Sequence, residues 1–416
     1  MSPHRLDLQI LCKSGASIAR VLASWGTLPL IVRYKGRPKT KSLPKNIAIA
    51  LCHPDRVREI DLGLTSTTVG SIVDAIRKPF QTLECIQITI TDATYTGPSL
   101  QFRNIFLGGS APRLRKIALD GVNIPFPEIK QVISSTNNLV ELHLSGISKS
   151  GYFSVDALVN ALSTSAQLKE LQVGFRYPAS LPTQSTTSPP LQRTTFPSLW
   201  LLEFHGASEY LEELMSRVDF PSLSFIVIEL FNQIFFEIPQ LCRSIPLLNS
   251  FNSPTEVEIT LSTNPITTGI DFRQKGMRGI ESGHCYLRTD CERLDWKLSF
   301  VTQVSNQLSL LFKSVDTLRL IVSQDNGMPS GEDVDSTQWL ELFQPFTHVR
   351  ELRVSGQVVP DIVQALVAED MVAGVLPELT QLFVEEGDFH TPTVVEAAEQ
   401  FVAVRKLSGR TISLSI

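Results

Sequence analysis

LVELHL, residues 139–144, is the clearest copy of a phrase that recurs along the chain: apolar-x-x-apolar-x-apolar. VREIDL (57–62), LRKIAL (114–119) and LKELQV (168–173) repeat it, and further copies lie at 223–228, 315–320, 349–354 and 379–384. The end of each copy alternates. Leu142 and Leu144 would point one way from a short strand and His143 the other. The first apolar residue, three places earlier, would close the turn into that strand. A phrase returning every 25 to 35 residues or so marks stacked units rather than one compact pocket.

Between the phrases the apolar spacing becomes helical. Val69, Ile72, Val73 and Ile76 form one stripe, with Thr68 as expected N-cap and Pro79 beyond the end. Val155, Leu158, Val159 and Leu162 form another behind Ser154, and a third runs from Ser208 to Val218. One strand-helix turn cannot bury its own apolar face, whereas stacked turns can. Helices are about 10–12 Å wide and strands about 4.8 Å apart, so such a stack should curve. The expected fold is α/β: a solenoid arc with parallel strands on the concave face and helices on the convex face.

The expectation is a single domain over 1–416. Residues 1–56 supply N-terminal turns, 57–230 regular repeats with a Pro/Ser/Thr-rich mobile loop at 176–197, 231–314 irregular repeats, 315–388 regular repeats and 389–416 a C-terminal cap. In the first part, Leu6–Ile10 and Leu30–Val32 read as strands, Ser17–Trp25 as a helix and the basic run Arg33–Lys41 as a solvated loop. Two further irregular zones lie at 263–293 and 323–335. In the irregular repeats, VEITL (257–261) and LDWKLSF (294–300) read as strands, and Phe231, Phe235 and Phe236 as core. The C-terminal cap should be a helix within 389–407 with Thr393 as its N-cap and Val394, Ala397, Ala398, Phe401 and Val404 inward, followed by an extended tail from Thr411.

A net charge of −5, from 37 basic and 42 acidic residues, gives no reason to expect nucleic acid or an anionic membrane as partner. The start lacks an apolar signal core, and the patch Val21–Val32 is interrupted by Ser24, Gly26 and Pro29, so an intracellular protein with no membrane span is expected. Cys12 and Cys85 lie in apolar runs and read as buried free thiols. Cys285 and Cys291, in a polar stretch beside His284, match no common zinc spacing. There is no phosphate-binding Gly-rich loop, no G-x-S-x-G elbow and no His-x-x-x-His pair. A carbohydrate-cleaving solenoid would draw on Asp61, Glu203 and Glu229, but no pair of these is fixed by sequence. No catalytic residue, cofactor or metal is therefore expected.

A binding face has more to recommend it. The residue between the last two apolar positions of each strand should face the concave side: Asp61, Gln87, Ala118, His143, Gln172, Glu203, Val227, Arg319, Arg353 and Phe383. Residues just after the strand should share that side, among them Asp120, Ser145, His205, Glu229 and Glu385. The expected partner-binding set is Asp61, Gln87, Asp120, His143, Gln172, Glu203, His205, Glu229, Arg319 and Arg353, which would match a protein partner through charge pattern and a few anchors.

Longer pieces carry a resemblance. FLGGSAPRLRKIALDGVNIPFPEI (106–129), NNLVELHLSGISKSGYFSVDALVNALS (137–163), LKELQVGFR (168–176), EYLEELMSRVDFPSL (209–223), LFNQIFFEIPQL (230–241), PELTQLFVEEG (377–387) and QFVAVRKLSGRTI (400–412) follow one another as in the fungal F-box/leucine-rich-repeat-like proteins of mushroom-forming fungi. The chain resembles the repeat region of that group over most of its length. The resemblance implies a leucine-rich-repeat solenoid that selects a protein substrate for a ubiquitin ligase. It also implies an F-box ahead of the repeats that docks a Skp1-type adaptor. No F-box opening precedes RLDLQIL (5–11), so the adaptor is an expected partner only if an F-box lies upstream. The alternative is a stand-alone scaffold unrelated to ubiquitination.

Overall fold

The structure is a computed structural model that describes residues 6–7, 22–24, 26–35, 45–73, 75–92, 106–122, 124–176, 193–231, 233, 235–248, 251, 254–263, 266–273, 283–291, 293–323, 335–355, 359–370, 374–385 and 392–415. The chain divides into two compact units, Met1–Gly206 with Ser216–Pro221, and Ala207–Met215 with Ser222–Ile416.

The first unit runs β1 (Leu6–Asp7), β2 (Leu30–Lys35), α1 (Lys45–Leu51), β3 (Val57–Leu64), α2 (Ser66–Val73), β4 (Cys85–Ile90), β5 (Lys116–Asp120), α3 (Phe126–Ser134), β6 (Glu141–Ile147), α4 (Val155–Leu162), β7 (Glu170–Phe175), β8 (Thr194–Thr195) and β9 (Leu201–Gly206). After α5 (Ser208–Arg217), β10 (Val218–Asp219) returns to it. Strands β1 to β7 and then β9 pair in chain order, every pair parallel.

The phrase explains each step. Leu114, Leu139, Leu168 and Leu199 are fully buried, and the strand begins two residues after each. Backbone bonds tie each turn to the one before: Glu141 N–H donates to the Arg115 carbonyl at 3.0 Å, and Glu170 N–H to that of Val140 at 3.2 Å. The Thr136 hydroxyl adds a bond to the Leu114 carbonyl at 2.8 Å. Within β6, Leu142 and Leu144 are buried and His143 is half-buried, as the alternation requires. An aromatic run, Phe126–Phe153–Phe175–Phe204, continues the core through centroid spacings of 4.0, 5.8 and 6.4 Å. Past the regular part of β6 the register shifts between Leu144 and Ile147, where Gly146 has φ +64°. A Cβ there would stand 2.8 Å from the Gly121 nitrogen, so this close approach needs glycine.

Ser154 caps α4 as expected, accepting from Ala157 N–H at 3.2 Å. Helix α2 starts earlier than expected, at Ser66. Thr68 therefore sits inside its first turn, where its hydroxyl bonds both the N–H and the C=O of Thr65. In the expected loop 176–197, Thr194–Thr195 instead pairs parallel with Val218–Asp219, held by Arg193 to Asp219 at 2.8 Å; 177–192 lie outside the described residues. The run Arg33–Lys41 also differs at its start, because Arg33–Lys35 finish β2; 36–41 lie outside the described residues. So do most of the expected elements Leu6–Ile10 and Ser17–Trp25, apart from β1 and the helical residues 22–24.

The second unit continues with β11 (Phe225–Leu230), α6 (Pro239–Ser244), β12 (Glu256–Thr263), β13 (Ile266–Arg273), β14 (His284–Thr289), α7 (Leu294–Gln307), β15 (Thr317–Ser323), α8 (Ser336–Phe343), β16 (Glu351–Ser355), α9 (Val359–Asp370), β17 (Gln381–Glu385), α10 (Pro392–Leu407) and β18 (Ser413–Ser415). Its strand order is β11-β14-β13-β12-β15-β16-β17-β18. Here the expectation of parallel pairing throughout fails. Strand β13 runs antiparallel to both β12 and β14. Two residues separate β12 from β13, too few for a crossover, so the chain must turn straight back. The other pairs are parallel.

LDWKLSF, read as a strand, is the start of α7. Its buried Leu298, Val301 and Val304 recur every three residues, and Trp296 is exposed. Phe231 and Phe236 are core, but Phe235 is 73% exposed. The terminal helix begins at Pro392, a favoured first position, so Thr393 lies inside it rather than capping it. Its inner side is Ala398, Phe401 and Arg405, with Ala397 and Val404 only half-buried. Buried Arg405 bonds the Val375 carbonyl at 2.9 Å and lies 5.2 Å from the Phe401 ring. The expected extended tail forms β18, which pairs parallel with β17. No described helix is long and apolar enough to cross a membrane.

The alternation in β6 predicts a sharp contrast between neighbours. Leu142→Ala should cost about 2–5 kcal/mol of unfolding free energy, the usual range for emptying a buried leucine site, and His143→Ala less than about 1 kcal/mol. Denaturant melts of the two variants check this.

Candidate functional site

In each unit one side of the strands is closed by core, and the other carries mostly polar, half-buried side chains in rows. Across β3, β4, β5, β6, β7 and β9 the paired residues are Asp61, Gln87, Ala118, His143, Gln172 and Glu203, with Arg33 of β2 opposite Asp61. Five of the ten expected binding residues thus stand in one register row. Asp120 and His205 sit two residues further along their strands on the same side, opposite Ser145 and Gly174. In the second unit the row is Val227, Tyr286, Asp271, Glu258, Arg319, Arg353 and Phe383. It holds Arg319 and Arg353, while Glu229 lies in the next row, opposite Arg288.

Two groups of residues on these faces were missed by sequence reasoning. The first is the row Glu59, Cys85, Lys116, Glu141 and Glu170. It occupies the second x of the phrase, which shares strand parity with the middle residue, so the alternation already contained it. The second is Glu258, Asp271 and Tyr286, hidden where the phrase is broken.

The faces are knitted by side-chain contacts. In the first unit Arg33 bonds Glu59 at 2.6 Å, Lys116 bonds Glu141 at 2.5 Å, His143 Nε2 lies 3.3 Å from Glu170, and the Gln172 amide donates to Glu203 at 3.1 Å. The Ser145 hydroxyl donates to Asp120 at 2.9 Å. Burial works to lower the Lys116 pKa, but the bond to Glu141 and its charge outweigh that and hold the ammonium above its ordinary value. In the second unit Arg288 pairs with Glu229, His284 with Asp271 at 2.7 Å and Arg319 with Glu258 at 3.2 Å. Arg353 pairs with Glu351 and lies 4.6 Å from the Phe383 ring centroid. Tyr286 lies across Gly269, where a Cβ would come within 2.8 Å of the ring. Burial pushes its phenol up, against the lowering pull of Arg288.

Glu141, His143 and Glu170 each offer a ligand atom within 4.8 Å of the others, close enough to share a divalent cation. Lys116 already occupies Glu141, and half-exposed acidic groups often gather without an ion. Glu141 and Glu170 also approach the carboxyl spacing of retaining glycosidases, about 5–5.5 Å. They are not the acids considered from the sequence. Asp61 and Glu203 end a six-strand row, roughly 24 Å apart at about 4.8 Å per strand.

One thiol departs from expectation. Cys85 is not in the core but half-buried on the polar row, and burial, reinforced by Glu59, pushes its pKa up to about 11. Cys285 and Cys291, in the stretch read as polar, are fully buried. Cys12 lies outside the described residues.

No family model matches the sequence, and no curated protein matches it. Among solved structures the chain is similar to the leucine-rich repeat-containing protein LegL7 from Legionella pneumophila. The match has 12% identity and a TM-score of 0.28, and covers 85% of this chain and 98% of that one.

The thiol environments predict selective alkylation. At pH 8 Cys85 should react with iodoacetamide at least about tenfold more slowly than exposed Cys52, because its thiolate forms only near pH 11. The gap should narrow as pH rises toward that value. Peptide mass spectrometry over a time course reads both sites.

Proposed function

We propose that this chain is a leucine-rich-repeat solenoid whose strand face holds another protein by non-covalent contact. One observation carries the reading: the row from Asp61 to Glu203, a register-locked line of half-buried side chains, one per strand, on the side of the sheet away from the core. At about 4.8 Å per strand such a line is too long for a small metabolite and suits a protein surface or an extended segment. The row carries two carboxylates, two amides and an imidazole, and the Gln172 amide is already bonded to Glu203. Such a line favours recognition by pattern; the second unit's own face carries Tyr286, Arg288 and Arg353, residue types found at interface hot spots.

The resemblance to F-box/leucine-rich-repeat proteins extends the proposal. The protein held is a ubiquitination substrate, presented to a ligase through a Skp1-type adaptor when an F-box is joined to these repeats. Without one, the same face makes a stand-alone scaffold. Either role belongs in the cytoplasm or nucleus and assigns no bond-making step to the row.

The test is site-directed photo-crosslinking. A benzoylphenylalanine at Gln87 or Gln172 should capture a discrete partner, and one at exposed Glu399 of α10 should not. Ala118→Trp, which raises a wall in the middle of the row, should cut recovery at least tenfold with an unchanged melting temperature. Equal capture from all three positions, or full recovery with the tryptophan, would remove the reading.

A further inference from the structure

The turns that lead into the strands carry a second feature, separate from the strand face. A cavity of about 320 Å³ in the first unit is lined by Glu84, Arg113, Arg115, Asn138 and Gln167. These residues come from four successive repeats and occupy matching places. Arg113, Asn138 and Gln167 immediately precede the buried anchors Leu114, Leu139 and Leu168, and Glu84 and Arg115 immediately follow Leu83 and Leu114. Strand spacing puts neighbouring repeats about 5 Å apart, so the donors span about 10 Å.

The lining is donor-rich. Among the described residues, the side chains of Arg113, Arg115, Asn138 and Gln167 make no hydrogen bond or ion pair, although two guanidinium groups and two amides are strong donors. The acidic member, Glu84, is paired with Arg58 at 3.4 Å. The frame beneath them is fixed. Arg115 N–H donates to the Glu84 carbonyl at 2.8 Å, Val140 N–H to the Arg115 carbonyl at 2.8 Å, and Ala111 N–H to the Ser135 hydroxyl at 3.0 Å. Donors on a fixed frame lose little freedom when a ligand arrives. The corresponding place in the second unit shows the contrast: Arg350, just after the anchor Val349, reaches Glu378 at 3.5 Å.

We propose that this cavity is an oxyanion site, taking a phosphate or carboxylate group carried on a polypeptide. Arg113 and Arg115 supply the charge and the forked geometry that such groups accept, and Asn138 and Gln167 supply lateral amide donors. The site stands independently of the strand-face reading.

The test uses the full chain and three fluorescein-labelled octapeptides that differ at one central residue: phosphoserine, glutamate or serine. Anisotropy titrations at 150 mM salt should show saturable binding of the phosphoserine peptide, the glutamate peptide or both, and none of the serine peptide. Preference between the first two identifies the oxyanion's source. Arg113→Gln and Arg115→Gln should each weaken binding about tenfold and together abolish it, whereas Arg350→Gln, the same change in net charge, should leave it intact. Thermal melts should be unchanged, since all three arginines are exposed. Failure of both charged peptides to bind overturns the proposal. Equal loss with Arg350→Gln overturns it too, because binding would then follow net charge alone.

Discussion

Everything in this chain depends on strands that cannot satisfy themselves. A segment of five to eight residues, such as Lys116–Asp120 or Val57–Leu64, exposes backbone donors and acceptors on both edges, and its own repeat offers nothing to meet them. The neighbouring repeat does, provided that its strand arrives at the same height and in the same direction. The buried leucine before each strand sets that height. Leu114, Leu139 and Leu168 plug into the core at matching places, and the following N–H groups fall onto the carbonyls of the preceding turn. Pairing then carries the register from β2 to β9 with only local shifts, at Leu30/Ile31 and at Leu144/Ile147.

Register has a chemical consequence. Because side chains alternate along a strand, fixing which residues pair also fixes which side chains stand beside one another. Glu141 meets Lys116 and Glu170 without any of them being close in sequence. The resulting contacts are half-exposed and contribute little stability each, on the order of 0–1 kcal/mol. Their effect is on shape and charge: they hold long side chains in place on a surface that would otherwise be mobile. The turn edge differs in this respect, since Arg113 and Arg115 stand on an equally fixed backbone but keep their donors uncommitted.

The regular repeats were legible because three signals agree there: the anchor leucine, the alternation and the intervening helical stripe. All three fit LVELHL followed by Ser154 and its helix, and strand, cap and facing follow from them. Legibility fails where one signal stands alone. LDWKLSF has alternating apolar residues but no anchor before it, and its continuation through Val301 and Val304 settles it as a helix. Phe235 and Phe236 are chemically identical neighbours, yet only Phe236 reaches Phe300, at 4.7 Å between centroids. Composition cannot tell such a pair apart. The row from Glu59 to Glu170 is masked for a different reason: the phrase is defined by its apolar positions, although Glu59, Lys116 and Glu141 have the same strand parity as Asp61, Ala118 and His143.

The antiparallel strand β13 tests whether the polar row depends on the repeat itself. Reversing a strand does not change which side a residue faces, so long as the pairing stays in step. Strands β12 and β13 pair without a slip from Glu256↔Arg273 to Thr263↔Ile266, which puts Glu258 against Asp271; β13 and β14 pair likewise, and put Asp271 against Tyr286. The row therefore crosses the interruption intact, from Val227 through Tyr286, Asp271 and Glu258 to Arg319. What changes is its composition. Released from the repeat phrase, this stretch carries a glycine at 269 that lets Tyr286 lie flat, with Arg288 above it at 5.9 Å. A stretch that preserves facing while relaxing the sequence pattern thus keeps the row continuous and changes only which residue types stand on it.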